Sequence, residues 1–508
     1  VTAGATESRP TRAPRRWATF GVLAATAALT ILDVSKVGVA LPAIQESTGG
    51  SGSTVQFMLV GYTLAYAVFL LPAGRVGDVL PRKIVFLVGG SAFLGASVIC
   101  ALAPDILWLI VGRLLQGAGA GILMPQVLGL IQRIFPAEER SKPLAAMAAI
   151  ISATSLFGPV FAGVVMELVG GAESWRALFW INVGIGVIVL PIAAIVIREP
   201  EGEKRHGFDT LGVVLLAPAV VLTVAPLSTI SQTTPASWWM LLATLAGLAF
   251  AAAFVLHERR RARAGLQALV DPLLFGFRHL TLGVVISGLM HAAGTAGTLI
   301  ITIGLQQAAG QSALETALWM LPAALSTIVA SVIMSRLPQR STYRLIVIGT
   351  GLGAVGLAAV AVAFGAAPVA SLPLIVCVIL VVNSFGSSLA APANQARTLV
   401  EVPDYRASVA GSLIQFSQRV GSAIGMAGAL ILYYGLEFEP TSFGRPTLGP
   451  TLAIGLTAVF LLLATVLGLL DQARTRRRER RTRATSADST PADAPADAPR
   501  APAPASRG

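Results

Sequence analysis

Charge is scarce in this chain. Only 12% of its 508 residues are Asp, Glu, Lys or Arg, about half the share of a typical soluble domain. A water-covered globular surface is therefore excluded. Lysine is scarcer still, with four residues in all. The phosphate-cradling motif G-x-x-x-x-G-K-[S/T] is absent, so an ATP-driven pump would need a separate subunit. Cysteine is limited to Cys100 and Cys377. They lie in different apolar runs without metal-ligand spacing, so no metal site and no disulfide framework beyond one bridge is expected. Both read as small core residues. H-E-x-x-H, G-x-S-x-G and Cys/His clusters are also missing, which argues against a membrane enzyme.

What is abundant is apolar side chain, at 55%. About twenty apolar residues cross a bilayer as a helix, and fourteen such runs can be marked between residues 18 and 470. The expected fold is an all-α membrane protein. Loops 198–210 and 257–272 bracket the seventh and eighth runs, and removing that pair leaves six runs on each side. The expected organisation is a cytoplasmic segment 1–17, a six-helix half 18–197, and two linking helices with cytoplasmic loops over 198–272. A second six-helix half follows over 273–471, then a tail 472–508 that is basic and afterwards Pro/Ala-rich and disordered. The stretch TRAPRRWATF with its apolar continuation is similar to a signal peptide, but the apolar run leads into LDVSKVGVALP without a small-residue cleavage site. An uncleaved first span is expected.

The net charge of +12 invites a nucleic-acid reading. Its distribution argues otherwise. With a cytoplasmic N-terminus and fourteen alternating spans, only Arg176 and Arg445 of the 37 Lys and Arg fall outside, and only Lys36, Arg113 and Arg419 fall within spans. That asymmetry is the positive-inside rule. It predicts both termini in the cytoplasm, the lipid bilayer as partner and no nucleic acid.

The charges within spans carry the functional signal. Asp33 and Lys36 stand three residues apart on one helix face. A charge in hydrocarbon costs a few kcal/mol or more, so the pair predicts a polar cavity at mid-membrane depth. Arg113, in the fourth run, reaches a similar depth within roughly a turn or two at ~1.5 Å per residue. An Asp33–Lys36–Arg113 network between the first and fourth spans is expected. Two readings stand, a proton-operated switch or a fixed buried pairing that aligns helices. His291, central in the ninth span, is a candidate cavity or proton site, although a satisfied core histidine is the commoner case. Arg419, with Gln415 and Gln418, places polar groups in the thirteenth span, and Asn383, Asn394 and Gln395 do so in the twelfth. Tyr62 and Tyr66 are candidate cavity aromatics.

Several motifs point the same way. The loop after the second run reads LPAGRVGDVLPRKIVFL, with Gly74, Asp78, Arg82 and Lys83. It resembles the G-x-L-A-D-R-x-G-R-K signature of the major facilitator superfamily, with Val79 and Pro81 as departures. VGRLLQGAGAGILMP resembles the family's R-x-x-Q-G-x-G-A at Arg113, Gln116, Gly117, Gly119 and Ala120. LFGPVFAG resembles the antiporter element G-P-x-x-G-G at Gly158, Pro159 and Gly163, with Ala162 at the first position of the final pair. ESWRALFWIN resembles W-R-W-x-F-x-I-N, and LDVSKVGVALP resembles D-x-T-I-V-N-V-A-L-P, with Lys36 where an apolar residue is usual.

The resemblance covers roughly 17–470 and implies the fourteen-helix drug:proton antiporter branch, with two six-helix halves and two extra helices. It also implies a latch at Gly74, Asp78, Arg82 and Lys83, helix packing at Gly117, Gly158, Pro159 and Gly163, and proton coupling at Asp33. The expected function is export of a small hydrophobic compound from a bacterial cytoplasmic membrane, driven by a proton gradient with no cofactor, by a monomer. A metabolite facilitator or symporter is the alternative, and a membrane enzyme or sensor the remote one. Because Lys36 offsets Asp33, neutral or anionic substrates gain weight over lipophilic cations.

Overall fold

The structure, a computed structural model, describes residues 13–136, 139–198, 209–226, 237–336, 342–403, 407–435 and 448–488. Those residues form fourteen α-helices and two short 3-10 turns. In chain order they are α1 (Ala13–Thr48), α2 (Gly52–Val79), α3 (Arg82–Leu102), α4 (Ile106–Ile134), α5 (Ser141–Val169), α6 (Trp175–Val196), α7 (Thr210–Val224), α8 (Trp238–Arg263), α9 (Arg278–Gln307), α10 (Ala313–Arg336), α11 (Thr342–Ala366), α12 (Leu372–Leu399), α13 (Ala407–Gly435) and α14 (Leu448–Asp488).

Polar residues between the apolar runs set where helices begin. Ser51 accepts from the Thr54 amide at the start of α2, and Asp105 accepts from the Leu107 and Trp108 amides at the start of α4. Such side chains satisfy amides that have no partner inside the helix. Pro159 has no N–H to offer the carbonyl one turn before it, and α5 bends by 43° just there.

Eleven helices are by themselves long and apolar enough to cross a membrane, and α5, bent but continuous in composition, makes up to twelve. The expectation of fourteen spans is met in part. Helix α7 has fifteen described residues, and 227–230 of the seventh run lie outside the described residues. Helix α13 carries Gln415, Gln418 and Arg419 along its middle. At the tail, α14 runs on through the basic stretch RTRRRERRTR to Asp488. Residues 489–508 and the segment before Ala13 lie outside the described residues.

Helix pairing repeats. In the first half α1 packs on α5 and α6, α4 on α2 and α3, and α3 on α6. Eight helices later the same five pairs recur: α9 with α13 and α14, α12 with α10 and α11, and α11 with α14. The halves meet along α2–α13, α5–α10 and α1–α9. Helices α7 and α8 pair with each other, and α7 also touches α2 and α13. Leu241, Leu242, Leu245 and Leu248 of α8 are exposed, which suits a lipid-facing helix. Trp238 and Trp239 stand at its end, where amphipathic rings favour the membrane–water boundary.

Glycine permits the closest crossings. A Cβ on Gly117 would lie 2.2 Å from the Tyr62 carbonyl oxygen of α2, and one on Gly121 would lie 2.6 Å from that of Tyr66. On α13, Gly421 and Gly425 lie against the Gly288 and Ala292 carbonyls of α9 in the same way. Small residues four apart let helix backbones touch where lipid supplies no hydrophobic drive. Gly117→Val should therefore push α2 off α4, at a cost of about 1–3 kcal/mol. A thermal-shift measurement in detergent checks this; an unchanged melting temperature would show that the crossing tolerates side-chain bulk.

Candidate functional site

Asp33 lies within α1, fully enclosed by α3, α4 and α6. The Arg113 guanidinium of α4 donates from Nη1 to its Oδ2. Its Oδ1 accepts from Asn182 Nδ2 of α6 at 2.6 Å and from Gln116 Nε2 of α4 at 3.2 Å. Lys36 Nζ stands 3.3 Å from the same oxygen. Lys36 also donates to the Asn182 side-chain oxygen at 2.5 Å and to the Leu178 carbonyl at 2.6 Å. Arg113 Nη1 donates to Gln116 Oε1 at 2.7 Å, and Gln116 donates to Ser97 Oγ of α3 at 2.8 Å. The donor set fits an ionised carboxylate, because every contact at Asp33 comes from an N–H.

The expected network of Asp33, Lys36 and Arg113 is thus present. The cavity expected around it is closed in this conformation: Asp33, Lys36, Gln116 and Asn182 have no exposed surface, and Arg113 has 1%. The reason is the density of polar partners. Ser97, Gln116 and Asn182 supply the contacts that water would otherwise make. Sequence reasoning did not assign roles to Ser97 and Asn182; the only signal for the latter was its place at the end of ESWRALFWIN. That element orients α6 as well. Trp175 Nε1 donates to Ser47 Oγ of α1 at 2.8 Å, and Arg176 donates to the Ala101 and Ala103 carbonyls at the end of α3, where a cation is favoured.

From this cluster a stack of rings and cations crosses to the other half. The Arg113 guanidinium lies over the Tyr62 ring at 4.0 Å, Tyr62 meets Tyr66 edge to face at 6.3 Å, and Arg419 of α13 lies over Tyr66 at 4.2 Å. Next to Arg419, Gln418 donates to Ser287 Oγ of α9 at 3.1 Å, and His291 Nδ1, one turn on, lies 3.0 Å from the Ser287 carbonyl. Arg419 and His291 therefore share one place at the boundary of the halves. They are separate from the Asp33 cluster, and the two tyrosines join them to it.

The residues for which a latch is expected gather where α2 ends. Arg82 donates to Asp78 at 2.5 Å and to the Pro125 carbonyl of α4 at 3.3 Å, while Gly74 faces Pro125 and Ser412 of α13. Lys83 follows on α3. Gly158 packs on Ser35 of α1, and Gly163 packs on Leu314 of α10 across the boundary of the halves.

A second polar clasp was not anticipated. Asp209 caps α7 through the Gly212 amide at 2.9 Å and pairs with His257 and Arg261 of α8. Burial works to raise its pKa. The hydrogen bond from His257, the Gly212 amide, Glu258 and the Arg261 charge together hold it below the ordinary aspartate value. Glu258 accepts from the Val270 amide at 2.9 Å. Arg75 of α2 donates to the Ala268 and Leu269 carbonyls. The return loop from α8 is thereby tied to the end of α2, beside the latch.

The family model for the Major Facilitator Superfamily matches residues 23–426. The chain belongs to this superfamily, whose members are transporters and not enzymes. It is 34% identical over 331 residues to the probable actinorhodin transporter of Streptomyces coelicolor, covering 65% of this chain and 57% of that protein. It is 31% identical over 313 residues to the tetracenomycin C resistance and export protein of Streptomyces glaucescens, covering 61% and 56%. A multidrug resistance protein B homolog of Mycobacterium tuberculosis is 28% identical over 416 residues, covering 80% and 74%. Alignment to the first relatives spans a little over half of their length. In three dimensions the chain is similar to a bacterial homolog of the human lysosomal transporter Spinster, inward-facing and unoccupied, with TM-score 0.64, 16% identity and coverage of 90% and 97%. It also matches the partially occluded xylose transporter XylE of E. coli, with TM-score 0.60, 12% identity and coverage of 89% and 97%. These two likenesses concern the fold alone.

Proposed function

We propose that this protein exports a small hydrophobic compound across a bacterial cytoplasmic membrane in exchange for protons, by alternating access of two six-helix halves. The observation that carries the reading is the Asp33 cage. A carboxylate held by four N–H donors at membrane depth, with Arg113 stacked toward the other half, is a group whose protonation forces rearrangement. A protonated carboxyl replaces one acceptor site with a donor, so at least one of the four contacts must open. Likeness to a probable actinorhodin transporter and to a tetracenomycin C resistance and export protein supports export as the direction.

Within this proposal the chain crosses the membrane fourteen times, α7 and α8 linking the halves. Both termini are cytoplasmic, the latch at Asp78 and Arg82 faces the cytoplasm, and the protein works as a monomer. The fully paired Asp33 is the proton-coupling residue; Lys36 and Arg113 set its environment. His291 and Arg419 face the substrate path, and Gly117, Gly158, Pro159 and Gly163 shape the helix crossings.

Proteoliposomes loaded with a pH-sensitive dye test the reading. Adding a transported compound under an imposed pH gradient should release protons in proportion to compound moved, and nigericin should abolish accumulation. Equal flux with and without the gradient would make the protein a facilitator instead.

A further inference from the structure

Among the described residues, Arg419 at the boundary of the two halves has no acidic partner. Lys36 and Arg113 share Asp33. Arg419 has no ion pair with any described residue, and its guanidinium lies over the Tyr66 ring at 4.2 Å. It is half-buried on α13, and the neighbouring Gln418 donates to Ser287 Oγ of α9, one turn from His291, so these polar neighbours carry no negative charge. The Tyr62 hydroxyl, between Arg419 and Arg113 along the stack, is buried and has no hydrogen-bond partner. Among the described residues, the charged groups along this stack are therefore Lys36, Arg113 and Arg419 against Asp33. A guanidinium at membrane depth is costly unless an anion meets it, and its planar fork of donors suits a carboxylate or phenolate.

We propose that Arg419 is a specificity-determining residue, and that the substrate is a hydrophobic compound bearing one acidic group, whose anion pairs with Arg419. This rests on the reading of Arg419 as facing the substrate path. The Tyr62 hydroxyl, unpartnered here, supplies a donor or acceptor to the same ligand. A lipophilic cation would meet only like charge at this place, since Asp33 is already enclosed by its own donors. Export of an anion is also aided by an inside-negative membrane potential, so proton exchange need not supply the whole driving force.

The test uses three probes of one size with the purified full chain in nanodiscs: 2-naphthoate, methyl 2-naphthoate and a trimethylammonium naphthalene. Binding is read by quenching of intrinsic fluorescence. The wild type should bind naphthoate at least about tenfold more tightly than the ester or the cation. Arg419→Gln should lose that preference with ester binding unchanged, and Arg419→Lys should keep part of it. Tightest binding of the cation, no binding of naphthoate into the millimolar range, or naphthoate affinity untouched in R419Q would each overturn the proposal. If R419Q does not fold, the probe order in the wild type decides alone. Proton-coupled flux is a separate readout: a wild type that prefers naphthoate yet moves it equally with and without a pH gradient overturns the antiport reading and leaves this one standing.

Discussion

Replacing Asp33 by Asn is expected to abolish accumulation driven by a pH gradient while sparing substrate exchange at equal pH. Asn keeps the shape and one acceptor oxygen but cannot be ionised, so the cage around it no longer has two protonation states. Gradient-driven uptake in proteoliposomes should fall at least about tenfold, to the level of nigericin-treated vesicles. Counterflow should continue. The substitution also leaves Lys36 and Arg113 without their shared anion, and an uncompensated buried charge costs about 3–5 kcal/mol. Lys36 can release its proton to relieve this; Arg113 cannot.

A second variant separates the two effects. Asp33→Asn with Lys36→Met has the net charge of the wild-type cluster, so it should recover thermal stability without recovering proton coupling. Coupling intact in D33N would end the switch reading. Recovery of coupling together with stability in the double variant would make Asp33 a structural pairing that only aligns α1, α4 and α6.

Locking either end of the bundle should stop transport altogether. In this conformation the halves touch at both ends. A Cβ on Gly74 of α2 would lie 3.9 Å from Ser412 Oγ of α13, and at the opposite end a Cβ on Gly38 of α1 would lie 3.7 Å from Leu299 of α9. Gln306 of α9 also donates to the Val39 carbonyl at 3.4 Å. Rigid rocking of one half against the other requires each contact to part in turn. The cysteine pairs Gly74→Cys with Ser412→Cys, and Gly38→Cys with Leu299→Cys, should each form a disulfide. Each should cut flux below roughly one-tenth of the reduced protein's rate, with recovery on adding dithiothreitol. The native Cys100 and Cys377 are buried and do not compete. Undiminished flux in either oxidised pair would show that this contact stays closed through the cycle, against alternating access at that end.

The clasp at α7 and α8 gives the extra helices a mechanical place in that cycle. The loop they return carries Ala268 and Leu269, which receive Arg75, three residues before Asp78 of the latch. The end of α2 is thus joined to the α7–α8 pair through a polar contact as well as through α7 packing on α2 and α13.

Much of this molecule was legible along the chain. Long apolar runs announce helices because a backbone in lipid must satisfy its own hydrogen bonds, and each marked run coincides with one of the fourteen helices, although their membrane crossing is established for fewer. Asp33 and Lys36 were visible as partners because three residues is nearly one helical turn. Arg113 was reachable by counting depth, since rise per residue is constant. Gly117 and Gly421 were visible as small residues but not as the places where carbonyls of α2 and α9 come within contact.

Tertiary structure alone decided the rest. That Asn182 and Ser97 complete the cage, that Arg419 and His291 share a site distant in sequence from Asp33, and that Arg75 receives the return loop all depend on which helix faces which. Rotation about a helix axis leaves its apolar pattern almost unchanged in a bundle surrounded by lipid, so periodicity does not specify it. Interdigitated glycines, ring stacking and buried polar contacts do. The same facts explain why the sequence points to polar groups at depth but does not show whether they are enclosed in a given conformation. Composition determines that charge must be matched at membrane depth; only the packing decides whether water or protein matches it.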